Sequence, residues 1–205
     1  MVTKLRKTHS RGHVDYVVEH NGKKIYDIHL PERPLKLRLR DESFLIGKDD
    51  AVFYEMKMNI QNLNNNWSSE VFNNNGEQIG HSYRRDKKVN FFIGHTFYEF
   101  EFMGRRFESF VMSIKGIKLL IFDIKTGEQI GLAESSGVLR NNLNDWILYA
   151  QNDQDNLITL LATLEMDYRR FMWRGRPRNN VDKIFVFAPK ELKVRYRSSF
   201  KDGLD

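Results

Sequence analysis

The sequence predicts a mainly β protein whose antiparallel sheet curls around one buried helix. Short segments of alternating apolar and polar residues fill most of the first 150 positions and are typical of strands. The stretch from Asp155 to Phe171 differs, because its apolar residues recur every three or four positions, as in a helix. Seven of the ten residues from Leu157 to Met166 are apolar, so this helix must be enclosed rather than laid on a surface. It is also too short and too soon charged to span a bilayer.

The composition of the chain limits its chemistry and its partners. Its 205 residues contain no cysteine, which excludes disulfides, cysteine-ligated zinc, iron–sulfur clusters and a thiol nucleophile. The lack of cysteine also fits a reducing compartment, and we expect a cytoplasmic protein. The net charge of +6 favours anionic partners such as nucleic acid or phospholipid head groups, although the same charge can serve solubility alone.

The N-terminal residues 1–12 are basic and lack apolar periodicity, and we expect them to form a disordered tail. His9 and His13 have the spacing of a metal pair on a helix, but Gly12 disfavours a helix there, so no metal site is expected. Residues 13–205 are then expected to form a single domain.

The domain is expected to open with a hairpin of strands over residues 14–19 and 24–30. The dipeptide Asn21-Gly22 between them supplies the positive φ angles that a tight hairpin turn requires. Further strands are expected around residues 44–46 and 52–58, where β-type segments resume after the prolines at 31 and 34.

Two segments combine strict alternation with a basic face. In residues 35–40 three leucines alternate with three cations, and residues 192–197 repeat this arrangement. If the two strands are neighbours, six cations line one patch of surface that can hold an anionic ligand; a protective charged edge strand explains the pattern equally well. The candidate binding residues are Lys36, Arg38, Arg40, Lys193, Arg195 and Arg197.

One hairpin unit occurs twice, with the sequence Gly-Glu-Gln-Ile-Gly at residues 76–80 and again at residues 127–131. The first glycine of each unit can take the left-handed conformation that closes a turn. The second glycine, inside a strand, predicts a bulge or a bend of the kind that barrel corners require.

The segments between the repeats are rich in aromatic residues. Tyr98, Phe100 and Phe102 alternate with Glu99 and Glu101, so the rings are expected to point inward and the carboxylates outward. The spacing of the two carboxylates would suit the catalytic pair of an inverting glycosidase. The better explanation is that both lie on the solvent-exposed side of a half-buried strand.

The last expected strand before the helix covers residues 146–149. Asp153 or Asp155 is expected to cap the helix, which should run over about residues 155–170. The remaining residues 171–205 form a basic extension with two further strands, over 183–187 and 192–197.

The chain resembles the tubby C-terminal-like superfamily, close to the LURP-one-related proteins and the phospholipid scramblases. The resemblance rests on the hairpins at residues 72–80 and 122–131, the strand at 146–149 and the helix that ends in Asp167-Tyr168. It implies a closed antiparallel β-barrel of about twelve strands enclosing one central hydrophobic α-helix. It also implies a non-enzymatic domain that binds phosphoinositides or acts at membranes. No stretch matches a binding motif of the family, and the family's helix usually lies nearer the C-terminus.

These observations favour a non-enzymatic binding domain that docks to anionic phospholipid or phosphoinositide head groups, without a cofactor. The sequence contains no glycine-rich phosphate loop, Gly-x-Ser-x-Gly elbow, His-Glu-x-x-His helix or dinucleotide fingerprint. The alternative is a protein-interaction or structural domain. Nucleic-acid binding is less favoured, because in both basic segments the apolar side chains lie on the face opposite the cations.

Overall fold

The computed structural model of the chain describes residues 1–9, 13–31, 42–59, 68–89, 92–113, 117–135, 144–173, 176–177 and 194–204. Twelve antiparallel strands form a closed barrel, in which each strand pairs with its neighbours in sequence and β1 pairs with β12. The strands are β1 (Val2–His9), β2 (Val14–His20), β3 (Lys23–Leu30), β4 (Glu42–Lys48), β5 (Ala51–Asn59), β6 (Ser68–Asn73), β7 (Gln78–Val89), β8 (Phe92–Phe102), β9 (Arg105–Ser113), β10 (Ile117–Asp123), β11 (Gln129–Ser135) and β12 (Asp145–Ala150). The helix α1 (Asp153–Phe171) follows, and then a small hairpin of β13 (Met172–Trp173) and β14 (Arg176–Pro177). The predicted fold class is therefore confirmed.

The barrel encloses α1. Every residue from Asp155 to Tyr168 is buried, on all sides of the helix, and the apolar side chains join one core with the inward residues of the strands. The helix begins one residue after Asn152, whose Oδ1 accepts a hydrogen bond from the Asp155 amide at 2.9 Å. The prediction that Asp153 or Asp155 caps the helix is thus wrong. Asp155 instead accepts a 2.8 Å hydrogen bond from the Asn152 side-chain amide.

The glycine predictions are confirmed at both repeated hairpins. Gly76 and Gly127 have φ angles of 79° and 71°, in the left-handed region. The strand register shifts beside each second glycine, because Val71 pairs with Gly80 while Phe72 pairs with Gln78, and the same offset occurs in β10 and β11. These bulges add curvature to the sheet where it closes into a barrel. Gly131 has a further role, because it lets the helix approach β11: a Cβ there would lie 3.3 Å from Thr159 Cβ.

The prediction of a disordered N-terminal tail is wrong for residues 2–9. These residues form β1, which pairs with β12 on one side and β2 on the other and so closes the barrel. Leu5 is fully buried in the core. Thr3, Leu5 and Lys7 point into the barrel, so the strand does alternate between the two faces. The sequence does not show this pattern, because one of the inward residues is a lysine and other cations lie between them.

The predicted strand over residues 192–197 is wrong for its described part. Val194 and Arg195 lie in a single helical turn, Tyr196 and Arg197 have no regular structure, and a short 3₁₀ helix follows at Ser198–Lys201. We call residues 194–204 the C-terminal strap. The other predicted strand of the extension, over residues 183–187, lies outside the described residues.

The strap packs against the outside of the barrel. Outward-pointing residues of β9, β10 and β11 form a second apolar cluster, separate from the core around the helix, and Tyr196 and Phe200 of the strap pack against it. We call this cluster the outer apolar face; its buried members are Phe110, Met112, Leu120, Phe122 and Leu132. Strand β10 is consequently buried on both sides, as its sequence of nearly continuous apolar residues would allow.

Candidate functional site

The helix α1 occupies the interior of the barrel. The cavity beside the helix is lined by Tyr98, Ser109, Leu119, Ala162, Glu165 and Met166. Its volume is about 10 Å³, which is room for about one water molecule. This cavity is too small to hold a substrate or a lipid chain.

The polar groups of the interior bind one another. Asp167 on α1 accepts hydrogen bonds from the Tyr16 hydroxyl at 2.6 Å and from the indole of Trp146 at 2.9 Å. It also accepts one from the Asn144 amide at 2.5 Å, and the Lys7 ammonium lies 2.6 Å from its Oδ2. We call these five residues the interior polar network. It ties the helix to β2, β1 and β12, the strands around the seam at which the barrel closes.

Burial and pairing act in opposite directions on the charge of Asp167. Burial by itself would raise the pKa of this carboxyl, but the Lys7 ammonium and the hydrogen bonds from Tyr16 and Asn144 hold the pKa below its ordinary value. The pKa of Tyr16 is raised well above its ordinary value, mainly by burial and then by the charge of Asp167. Both effects favour an ionised Asp167 beside a neutral Tyr16.

Other interior carboxylates are held in the same manner. Glu165 accepts hydrogen bonds from Ser69 at 3.0 Å and Ser82 at 2.5 Å, while Tyr168 donates one to Glu42 at 2.5 Å. These hydrogen bonds connect α1 to β6, β7 and β4.

The topology separates charge between the two ends of the barrel. In an antiparallel barrel, connections from odd to even strands lie at one end and those from even to odd strands at the other. We call the first the basic end: its connections, 10–13, 31–41, 60–67, 90–91, 114–116 and 136–144, contain seven cations and two acidic residues. The cations are Arg11, Arg33, Lys36, Arg38, Arg40, Lys115 and Arg140.

The opposite end, which we call the acidic end, has the reverse balance. Its connections, 21–22, 49–50, 74–77, 103–104, 124–128 and 151–152, contain one cation and four acidic residues. These are Lys125 against Asp49, Asp50, Glu77 and Glu128. The connections of one end thus have a net positive charge and those of the other a net negative charge, a difference that emerges only once the strand order is known.

The structure places the predicted binding residues in different surroundings. Lys36, Arg38, Arg40 and Lys193 lie outside the described residues. The first three belong to the connection at the basic end, where β3 ends and β4 begins. Arg195 is half-buried and paired with Glu108 at 2.5 Å, and Arg197 is exposed on the strap. The strap lies against β9–β11, across the barrel from β3 and β4. A single patch formed by two neighbouring basic strands is therefore not the arrangement of Arg195 and Arg197.

The outward face of β8 was predicted to be simply exposed to solvent, but its Glu99 carboxylate is paired with neighbouring side chains. Glu99 accepts a hydrogen bond from the Tyr83 hydroxyl at 2.7 Å and lies 3.4 Å from both Arg85 and Arg106. Burial would raise the pKa of Glu99, but the Tyr83 hydroxyl and these two guanidinium groups hold it below its ordinary value. Phe100 and Phe102 point into the core as predicted.

Three histidines meet on the outside of the barrel. The rings of His9 and His13 stack at 4.1 Å, and Asp15 lies within hydrogen-bonding distance of both His13 and His29. Within the described residues, no three His, Asp or Glu side chains are arranged to hold a metal ion.

No protein family, curated protein or solved structure was found to match the chain. Within the part of the chain that the structure describes, no helix has the length and apolar character needed to cross a membrane.

Proposed function

We propose that this protein is a non-enzymatic binding domain that docks by its basic end onto an anionic phospholipid surface. The observation that carries the proposal is the separation of charge, with seven cations against two acidic residues in the connections of one end. Each basic residue near an anionic membrane contributes on the order of 1 kcal/mol, so several together can hold a protein reversibly.

The filled interior supports binding by an outer surface. The described cavity beside α1 has room for about one water, and we therefore place the ligand on the exterior of the barrel. The resemblance to the tubby-like and scramblase-like proteins supports the same choice of ligand. Lys36, Arg38 and Arg40 remain the candidate lipid contacts. Arg195 is not among them, because Glu108 already neutralises it.

The alternative is a protein-interaction or structural domain. One observation favours it over nucleic-acid binding: the outer apolar face with its strap is an apolar surface rather than a basic groove with stacking rings.

Co-sedimentation with vesicles tests the proposal. The protein is mixed with neutral, phosphatidylserine-containing or phosphoinositide-containing vesicles at low and high salt. We expect it to pellet with anionic vesicles only, and less at high salt because screening weakens the attraction. The triple variant Lys36→Glu, Arg38→Glu and Arg40→Glu should bind at least on the order of 100-fold more weakly.

A matched control separates docking by the basic end from an effect of net charge. The variant Lys23→Glu, Lys48→Glu and Lys125→Glu changes the charge by the same amount at three exposed positions near the acidic end, and it should retain binding. Equal losses in the two variants would contradict docking by the basic end. Failure of the unmodified protein to bind any anionic vesicle would contradict membrane docking and turn attention to a protein partner.

A further inference from the structure

The outer apolar face is an unusual surface for a closed barrel. Met112, Leu120 and Leu132 point away from the core around the helix, yet each is fully buried, and Phe110 and Phe122 are nearly so. Outward residues of a barrel strand ordinarily contact water, so apolar side chains here require a cover.

The C-terminal strap provides cover with two aromatic side chains set between basic ones. Tyr196 and Phe200 pack against the apolar cluster. The Arg195 guanidinium lies 4.0 Å from the centre of the Phe122 ring and 2.5 Å from Glu108. Lys201 lies 2.8 Å from Glu134. The surface therefore has an apolar centre with an acidic residue near each end of the bound segment.

The attachment of the strap has the character of a bound peptide rather than a structural element. The barrel is already closed by twelve strands, so no sheet edge depends on the strap. The strap forms no strand with the barrel in its described residues. Among the described residues, the backbone of the strap donates one hydrogen bond to the barrel, from the Arg197 amide to the Gln129 side chain at 3.1 Å. Tyr196, Phe200 and both paired cations remain partly exposed to solvent.

We infer that the outer apolar face is a peptide-binding surface, occupied in this state by the chain's own strap. Its ligand is a segment of another protein in which two aromatic residues, four positions apart, lie between basic residues. The aromatic side chains would fill the apolar centre, as aromatic anchors do in protein interfaces. The flanking cations would pair with Glu108 and Glu134 and so set the direction of the peptide.

The tethered strap competes with any such ligand. A segment tethered to its site can have an effective concentration of about a millimolar, so a weakly binding peptide competes poorly with it. Binding in trans should therefore be hidden in the unmodified protein and revealed when the anchors of the strap are removed. A partner with stronger anchors would displace the strap.

The test uses a fluorescein-labelled peptide with the sequence of residues 194–204 and measures its fluorescence polarisation with the full-length protein. We expect the variant Tyr196→Ala with Phe200→Ala to bind the peptide at least about tenfold more tightly than the unmodified protein does. Adding Glu108→Arg to that variant should weaken binding about tenfold, because it removes the acceptor for the first cation and introduces repulsion.

Matched controls make each outcome decisive. The variant Phe53→Ala removes a partly exposed aromatic residue from β5, away from the strap, and should not reveal peptide binding. A peptide with both aromatic residues replaced by alanine should not bind. Circular dichroism establishes that each variant is folded. A folded double variant that does not bind the peptide, or binding that is indifferent to Glu108→Arg, would overturn the inference.

A second variant covers the case in which the double alanine variant does not fold. Arg195→Glu with Lys201→Glu leaves both aromatic side chains of the strap in place and weakens the contacts that its two cations make with Glu108, Glu134 and the Phe122 ring. This variant should also bind the labelled peptide more tightly than the unmodified protein. Absence of any gain in the folded charge variant would overturn the inference as well.

Discussion

The inside and the outside of this barrel are stabilised by similar chemical groups in different surroundings. Inside, Lys7 and Asp167 are only 1% and 0% exposed, and the carboxylate has hydrogen bonds to three more side chains. Outside, Arg195 and Glu108 are 33% and 21% exposed. A buried ion pair cannot lose one partner without leaving an uncompensated charge, whereas a partly exposed pair can exchange its partner for water. The inner pair is thus suited to fixing the fold, and the outer pair to a contact that can be released.

The largest expected effect comes from breaking the inner pair. Asp167→Asn leaves the Lys7 ammonium buried without a counterion, and we expect the free energy of unfolding to fall by about 3–5 kcal/mol. Urea unfolding followed by circular dichroism measures the change. Adding Lys7→Met should restore much of the loss, because the pair is then replaced by apolar groups. An Asp167→Asn variant as stable as the unmodified protein would contradict the role of the network.

The same variant has a defined pH dependence. Because the folded state lowers the pKa of Asp167, its contribution is present above the ordinary aspartate pKa of about 3.9 and is lost as the pH falls below that value. Unfolding curves between pH 7 and pH 3 should therefore show a shallower loss of stability for Asp167→Asn than for the unmodified protein. Parallel curves would show that folding leaves the pKa of Asp167 unchanged.

An intermediate effect is expected where the helix touches the barrel wall. A Cβ at Gly131 would overlap the Thr159 hydroxyl and lie 3.1 Å from Ile121 Cδ1, so Gly131→Ala should lower stability by about 1–3 kcal/mol. Adding Thr159→Ala should recover part of the loss, since the overlapping hydroxyl is then gone. Gly76→Ala serves as a comparison, because a Cβ there meets nothing and only the positive φ is strained.

The smallest effect is expected at the outer pairs. Glu134 forms ion pairs with Lys118 of β10 and Lys201 of the strap. Burial by itself would raise the pKa of Glu134, but these two ammonium groups hold it below the ordinary value. Glu134→Gln should cost only about 0.2–1 kcal/mol, and the difference should shrink at high salt because the groups are partly exposed. Thermal unfolding at two salt concentrations measures this. If Glu134→Gln lowered the free energy of unfolding as much as Asp167→Asn does, the proposed difference between the inner and outer pairs would be contradicted.

The sequence predicted the strands and the helix best where apolar residues alternate without interruption. The repeated glycines even located two bulges, since a glycine inside a strand often marks a bulge or a close approach of another group. It failed at β1, where Lys4, Arg6 and Lys7 conceal a strand, because a buried lysine is recognisable only with its counterion. Asp167 offered a usable signal, since a carboxylate on an enclosed helix requires a buried partner. At residues 192–197 the sequence predicted a strand that the described part does not form. The residues alternate as in a strand, but contacts with Glu108 and Phe122 turn Arg195 toward the barrel.

What the sequence by itself determined is the class of structure: an apolar helix that must be enclosed and enough alternating segments to enclose it. These are local properties, since periodicity and turn geometry involve residues close along the chain. Only the tertiary structure decided which charges face each other. Barrel closure brings Lys7 to Asp167, and the antiparallel order directs seven cations of separate connections to one end. Such pairings depend on strand order across the whole chain, and residues more than 150 positions apart carry no local mark of their contact.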